Sequence, residues 1–160
     1  MKYKSHKGWY VLQHPEKFIK PLDGYMESYM YKDGVSYIQY KSMLERIAFR
    51  YADMNPKIAK FSIEPFNIKY IKPTDNKPHR YFIDMFIEFV TGEKFIVEIK
   101  SKGETQQPKK PKILNEKNAK YYKDSIITYA VNKAKWESAS EFAKQKNMKF
   151  IILTEDQLKP

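Results

Sequence analysis

The chain has 160 residues, of which 42% are hydrophobic and 16% aromatic, a content that excludes a disordered chain and predicts a single domain over residues 1–160. Thirty Lys and Arg against 19 Asp and Glu give a net charge of +11, which predicts a polyanionic partner, with nucleic acid as the leading candidate. The absence of cysteine excludes disulfides and thiolate metal sites and fits a reducing cytoplasm. With no apolar run of bilayer length and no signal peptide, no membrane partner is expected.

The first part of the chain mixes basic and aromatic residues without a clear period. Nine aromatic side chains, Tyr3 and Tyr25 among them, lie between the lysines of residues 1–40, and prolines and glycines such as Gly24 interrupt the run. This composition predicts an extended aromatic and basic region over residues 1–38. Two interpretations remain open. The rings stack on bases in a nucleic-acid groove, or they pack against the rest of the domain.

Residues 42–54 predict an amphipathic helix, because apolar residues recur at helical spacing and Asn55 with the following proline ends the run. Ser42 and Glu45 match a capping box, in which each side chain accepts a hydrogen bond from the other residue's backbone. Glu45 therefore has two interpretations. It caps the helix, or it faces the sheet and helps to hold a metal ion.

Residues 61–71 alternate well enough to predict one strand, and residues 73–78 predict a polar turn. His79 and Arg80 follow at the entry to the next strand. Each has two interpretations, a contact with a DNA phosphate or an ordinary solvated surface position.

Residues 81–100, YFIDMFIEFVTGEKFIVEIK, predict a β-hairpin of two apolar strands joined at Gly92. Asp84, Glu98 and Lys100 put charges where a core is expected. Because residues two apart in a strand share a face, Glu98 and Lys100 project into the same space.

The face that Asp84 occupies depends on the loop at Gly92. A three-residue loop with Gly92 in the left-handed conformation closes the hairpin between Phe89 and Glu93. That register sets Asp84 opposite Glu98, whereas a two-residue loop would separate them, and we predict the former. Two converging carboxylates are costly unless a cation lies between them, so the pattern predicts a hard divalent ion, Mg²⁺ or Mn²⁺. The alternative is a hydrogen-bonded buried acid at 84 and a solvent-facing strand edge at 98.

The segment after Lys100 is polar, rich in lysine and without periodicity, which predicts a loop. Its lysines either steer a DNA backbone toward the site or form a solvated loop. They are Lys102, Lys109, Lys110 and Lys112. Residues 115–147 then predict one long helix or two shorter ones, and residues 150–154 predict a buried strand. A right-handed crossover through the helix makes this strand parallel to the strand of Glu98.

Taken in order, these elements predict an α/β domain: a helix, a three-stranded antiparallel meander, a helix and a parallel strand. Asp84 followed by Glu-x-Lys across a hairpin resembles the pattern of the PD-(D/E)xK nucleases, with Ile83 where that motif usually has proline. More widely, the chain resembles the head completion nucleases of T-even-like tailed bacteriophages. The resemblance rests on KSMLERIAFRYAD, on DNKPHRYFIDMFIEF followed by FIVEIKSK, and on NKAKWESASEFAKQKNMKFIILTEDQL.

The resemblance implies a restriction-endonuclease-like core over residues 39–158 that cleaves packaged phage DNA during head completion and head-tail joining. Glu45, Asp84, Glu98 and Lys100 fall on the catalytic positions. Asp84, Glu98, the backbone carbonyl of Ile99 and Glu45 would hold the ion. DNA and phage portal or head-neck proteins are the implied partners, in the host cytoplasm during virion assembly or in the virion. The alternatives are a non-catalytic DNA-binding or head-tail joining protein on this fold, and a transposition-type or repair endonuclease.

Overall fold

The structure, a computed structural model, describes residues 5–21 and 26–158. Its strands are β1 Ser5–Val11, β2 Tyr29–Lys32, β3 Val35–Ser42, β4 Ile58–Ile63, β5 Asn67–Lys72, β6 Lys77–Phe82, β7 Met85–Phe89, β8 Lys94–Ile99 and β9 Lys149–Leu153. Its α-helices are α1 Met43–Met54, α2 Glu116–Gln145 and α3 Glu155–Leu158. The predicted mixed α/β class is confirmed, but the order of elements is more complex than the prediction.

The centre of the fold is a four-stranded sheet in the order β4-β7-β8-β9. β4, β7 and β8 are antiparallel neighbours, and β9 lies parallel to β8 with Glu98 opposite Ile152. The predicted parallel strand is thus confirmed. One continuous helix, α2, provides the crossover between β8 and β9.

The strand predicted over residues 61–71 is wrong, because the chain leaves the central sheet at Glu64. This residue has a φ of 44°, a left-handed conformation that breaks an extended strand. Its N–H donates to the carbonyl oxygen of Asp84 at 2.9 Å, and Pro65 follows. β4 ends before this point, and β5 pairs with β6 in a separate two-stranded sheet.

The first strand of the predicted hairpin is also interrupted. β6 ends at Phe82 and β7 begins at Met85, so Asp84 lies in the break between them. Ile83 and Met85 are two residues apart but pack in different core clusters, which shows that the backbone turns here. The turn at the other end follows the prediction. The N–H of Phe89 donates to the carbonyl oxygen of Glu93 at 2.9 Å, and Gly92 has a φ of 91°.

The extended region predicted over residues 1–38 is a three-stranded antiparallel sheet instead, in the order β1-β3-β2. β3 runs through the predicted boundary between residues 38 and 39. Tyr10, Phe18 and Ile38 are buried in the same cluster as the central sheet, so these side chains pack on the domain. Lys2, Tyr3, Lys4, Gly24 and Tyr25 lie outside the described residues.

The central sheet is covered on both faces. α1 begins after its N-cap Ser42 and ends at Asn55, as predicted, and it packs with the N-terminal sheet on one face. α2 and the β5–β6 sheet enclose a second cluster around Trp136 on the other face. None of the helices in the described part of the chain is long and apolar enough to cross a membrane.

A buried aspartate ties the N-terminal sheet to α1. Asp53 is 0% exposed, and its carboxylate accepts hydrogen bonds from the Tyr10 hydroxyl at 2.7 Å and from the N–H groups of Gln13 and His14, each at 2.8 Å. Lys17 donates to the last carbonyl oxygens of α1, including that of Ala52 at 2.7 Å. These bonds satisfy groups that a helix end leaves without partners, and they fix α1 against the sheet.

Candidate active site

Asp84 lies beside Glu98 at the carboxyl end of β8. The pairing of Met85 with Val97 in the β7–β8 ladder sets Asp84 opposite Glu98. One carboxylate oxygen of Asp84 accepts the N–H of Ile99 at 2.8 Å. Burial, and then the negative charge of Glu98, raise the pKa of Asp84 well above its ordinary value. Such a shift indicates that the two acids repel each other without a cation between them.

Glu98 is held between an aromatic hydroxyl and a lysine. It is buried, with 7% of its surface exposed. One carboxylate oxygen accepts the hydroxyl hydrogen of Tyr81, from β6, and the other lies 3.7 Å from Nζ of Lys100. The N–H of Lys100 donates to the carbonyl oxygen of Leu153 at 3.1 Å, which fixes the backbone just beyond β8. Asp84, Glu98 and Lys100 therefore lie together at one sheet edge.

A second lysine approaches this group from α2. Nζ of Lys135 lies 5.7 Å from the ring centre of Tyr81 and 5.8 Å from that of Tyr70, within the range of a cation–π contact. Burial lowers the pKa of Lys135, while the charge of Glu98 opposes this shift. The ammonium of Lys135 thus contacts the ring of Tyr81, and the hydroxyl of that ring contacts Glu98.

On the α1 side of the site lies a small cavity of about 40 Å³, enough for one water molecule or ion. Its charged lining is three acids and one lysine, Glu45, Glu64, Asp84 and Lys41, and the rest is Gln39, Phe49, Ile63 and Ile99. Nζ of Lys41 lies 2.8 Å from Oε1 of Glu64. A cation is therefore already paired with one of the three acids.

Glu45 combines features of its two interpretations. Its N–H donates to Oγ of Ser42 at 3.1 Å, as a capping box requires. Its carboxylate accepts the N–H of Lys41 at 2.9 Å, one residue before the expected Ser42. The same side chain lines the cavity opposite Asp84, and burial raises the pKa of Glu45. Oε2 of Glu45 accepts the bond from Lys41. The role of Glu45 in metal binding stays a prediction.

The predicted DNA-binding residues lie in three parts of the chain: in β6, just after β8, and in the loop before α2. His79 lies within β6, and its Nε2 is 2.7 Å from a carboxylate oxygen of Asp75. Arg80 is exposed on the same strand. Nζ of Lys102 is 3.1 Å from a carboxylate oxygen of Asp156. Lys109, Lys110 and Lys112 are exposed in the loop before α2.

Three residues at the site were missed from the sequence: Tyr81, Glu64 and Lys135. Tyr81 lies three residues before Asp84 at the start of an otherwise apolar run, and a polar hydroxyl at that place is a usable signal. Glu64 followed by proline was a usable signal for a break in the strand. Nothing local in the sequence marks Lys135, because its proximity to Glu98 depends on how α2 crosses the sheet.

The oxygen donors at this edge fit a hard divalent ion. Mg²⁺ in proteins is commonly held by one or two carboxylates, with water and substrate phosphates completing its shell. Asp84 and Glu98 supply two carboxylates, and the carbonyl of Ile99 lies between Glu98 and Lys100 in sequence. Within residues 5–21 and 26–158, no three His, Cys, Asp or Glu side chains form a cluster that could bind a metal on its own. The two carboxylates at this strand end match the number that Mg²⁺ commonly takes from a protein.

A helix-covered sheet with two acids and a lysine at one strand end is the arrangement that the resemblance to nucleases predicts, and the comparisons with known proteins give the same class. A family model described as "TnsA-like endonuclease N terminal" matches residues 55–155. The chain is also 37% identical over 129 residues to the "Head completion nuclease" of Enterobacteria phage T4, a match that covers 81% of this chain and 86% of that protein. The chain belongs to the TnsA-like endonuclease N-terminal family, and the resemblance to head completion nucleases is confirmed. The family model begins after α1 and so leaves out Glu45.

Proposed function

We propose that the protein is a metal-dependent DNA nuclease that hydrolyses phosphodiester bonds at the edge formed by Asp84, Glu98 and Lys100. The observation that carries the proposal is the contact between two crowded carboxylates, one with a strongly raised pKa, and a lysine ammonium at 3.7 Å. Family membership and the net charge of +11 support it.

Asp84, Glu98 and the backbone carbonyl of Ile99 would hold the ion, with Glu45 reaching it from α1. When bound, a divalent ion lowers the pKa of a coordinated water molecule and neutralises charge that develops on the phosphate. As an ammonium, Lys100 would orient the attacking water and offset the charge of the phosphate; as a neutral amine, it would instead accept the proton of that water. Tyr81 would hold Glu98 in position through its hydroxyl.

The biological setting follows from the relative in phage T4, whose name describes head completion. We propose that this chain acts on packaged phage DNA in the host cytoplasm during virion assembly or in the virion, with portal or head-neck proteins as candidate partners. The family model named after TnsA favours a second candidate, a transposition-type endonuclease. Cleavage assays on mobile-element ends and on plain duplex DNA separate the two.

Nicking of supercoiled plasmid tests the chemistry. The wild type should nick the plasmid with Mg²⁺ or Mn²⁺ and not with EDTA. Lys100→Met should reduce the rate by about 10²- to 10⁴-fold, the range for a positioned proton-transfer group, while Mn²⁺ still raises the melting temperature. Lys94→Met, at the other end of β8, is the matched control and should cleave normally. Cleavage that survives both Asp84→Ala and Lys100→Met would refute the site, and a wild type without activity would favour the non-catalytic joining role.

A further inference from the structure

The first half of α2 projects beyond the packed body of the protein. Its 30 residues extend about 45 Å at about 1.5 Å per residue, whereas the six residues of β8 extend about 20 Å. The buried side chains of α2 run from Asn132 to Ala143, and Tyr129 is the first that packs on the second cluster. Residues 116–128, the projecting segment, contain no buried side chain and are about 20 Å long.

The projecting segment points away from the sheet at the edge that carries the candidate active site. Because α2 connects two parallel strands, it runs opposite to both, and its first residue lies toward their carboxyl ends. Lys135 is the residue of α2 that lies beside the candidate active site, because it contacts the ring of Tyr81, whose hydroxyl contacts Glu98. The residues before Lys135 therefore extend past the strand ends where Glu98 and Lys100 lie.

This part of the chain carries concentrated positive charge. Residues 109–131 contain six lysines and two acids, a net charge of +4. The lysines are Lys109, Lys110, Lys112, Lys117, Lys120 and Lys123, and all are exposed. In the described part of the chain, ion pairs within 4.0 Å involve other lysines, such as Lys94, Lys102 and Lys149. Uncompensated lysines of this kind gain affinity by displacing counterions from phosphates.

The lysines within the helix are arranged along one side. Lys117, Lys120 and Lys123 follow at intervals of three, which brings successive side chains to neighbouring positions on the helix surface. From Lys117 to Lys123 the helix rises about 9 Å, at about 1.5 Å per residue, which matches about three phosphate steps along one strand of B-DNA, at about 3.4 Å per step.

We propose that the projecting segment and the loop before it lie along a phosphate backbone of duplex DNA, to one side of the scissile phosphate. The inference rests on the proposed nuclease function and adds where the DNA is held. The segment and the loop before it also expose apolar side chains, with Tyr121 65% and Ile113 78% exposed, which a protein partner would bury. The net charge favours DNA, and the experiment tests for a protein interface as the opposing outcome.

The test compares two triple variants that remove the same charge, one within the first turns of α2 and one around its carboxyl end, where Lys144 lies in α2, Lys146 follows the helix and Lys149 begins β9. The test variant is Lys117→Gln, Lys120→Gln and Lys123→Gln, and the control is Lys144→Gln, Lys146→Gln and Lys149→Gln, where the lysines are also exposed. Binding to a fluorescent duplex of about 30 base pairs, a length that exceeds the site, is measured by anisotropy in EDTA over a range of KCl concentrations. Circular dichroism and melting temperature check that both variants fold.

The slope of log affinity against log salt should fall by about 2 to 3 in the test variant, because each phosphate contact contributes about 0.9. It should fall by less than about 1 in the control, whose lysines lie away from the DNA. Equal slopes in the two variants, with a wild type that binds and cleaves DNA, would overturn this inference alone. A wild type that neither binds nor cleaves would overturn the proposed function as well. Self-association by sedimentation velocity that only the test variant loses, with DNA affinity unchanged, would assign the segment to a protein interface and also overturn the proposal.

Discussion

Replacing Asp53 or Asp84 by asparagine should change the stability of the protein in opposite directions. Asp53 is fully buried in α1, and Asp84 is partly buried between β6 and β7. Their surroundings differ, however. The carboxylate of Asp53 is surrounded by hydrogen-bond donors, whereas that of Asp84 lies beside a second carboxylate. The substitution keeps size and shape, removes the negative charge and replaces one acceptor oxygen by an NH₂ donor.

Asp53→Asn should destabilise the protein. The carboxylate accepts three hydrogen bonds, from Tyr10, Gln13 and His14, and an amide has one acceptor oxygen. If that oxygen keeps the two donors that contact Oδ2, the new NH₂ group faces the N–H of His14. The loss of one bond to a charged group costs about 1.5–3 kcal/mol, and the other two weaken. We expect a loss of about 2–4 kcal/mol, or about 5–15 °C in melting temperature for a chain of this size.

Asp84→Asn should stabilise the metal-free protein at high pH. The amide oxygen can still accept the N–H of Ile99, while the repulsion from Glu98 disappears. Because the pKa of Asp84 is raised in the folded state, the wild type loses stability as pH rises from the ordinary value of 3.8 through the folded-state pKa. The variant has no such loss. A screened like-charge contact gives a gain of about 1–2 kcal/mol at about pH 8, or about 2–8 °C, and almost none at about pH 4.

The opposite effects of the two substitutions on stability are measured by thermal unfolding. The wild type and both variants are unfolded at about pH 4 and about pH 8, in EDTA and in Mn²⁺. Mn²⁺ should raise the melting temperature of the wild type and of Asp53→Asn, because it binds the folded state, and should not affect Asp84→Asn. The wild type and Asp53→Asn should also nick plasmid DNA, and Asp84→Asn should not. A lower melting temperature for Asp84→Asn at high pH, with cleavage retained, would show that Asp84 is a structural acid and would refute the reasoning.

Four further substitutions test other parts of the site and of the fold. Glu45→Gln can keep the bond from the N–H of Lys41, so it should lower the cleavage rate by about 10- to 100-fold with little change in melting temperature. Ser42→Ala should instead cost about 1 kcal/mol of stability and leave cleavage normal. Normal cleavage by both variants would exclude Glu45 from the reaction. Tyr81→Phe leaves an oxygen of buried Glu98 without its donor, so it should cost about 1–3 kcal/mol and lower kcat more than KM, and an unchanged kcat would contradict the positioning role. Gly92→Ala should cost about 1 kcal/mol, since its φ of 91° suits glycine, and a loss of cleavage beyond this instability would contradict the purely structural role of the turn.

The parts of the fold that could be predicted are those fixed by neighbours in sequence. Ser42 and Asn55 bound α1 through local hydrogen bonds and a following proline. Gly92 sets the register of the β7–β8 hairpin, because its left-handed conformation decides the loop length. The break at Glu64 could not be derived from periodicity, since apolar residues continue on both sides. It is fixed by the hydrogen bond to the carbonyl oxygen of Asp84, twenty positions away in the chain.

The same distinction applies to the candidate site. The proximity of Asp84, Glu98 and Lys100 follows from one turn and one strand, so the sequence alone predicts it. Tyr81 and Lys135 belong to a different sheet and to the crossover helix, and their contacts with the site depend on how these elements pack. The N-terminal sheet shows both cases. β2 and β3 are joined by the two-residue turn of Asp33 and Gly34, with φ of 53° and 80°, which is a local signal for a hairpin. β1, in contrast, pairs with β3 across residues 12–34, and no local pattern predicts that pairing.

The central claim is that Asp84, Glu98 and the carbonyl of Ile99 hold a divalent ion at the end of β8. Anomalous scattering from a crystal soaked in Mn²⁺ tests it most directly, because it locates the ion without relying on activity. The account predicts one peak within about 2.0–2.6 Å of an oxygen from each of the two carboxylates, with Lys100 alongside. A peak at another set of residues, or none at a concentration of Mn²⁺ that supports cleavage, would contradict the account.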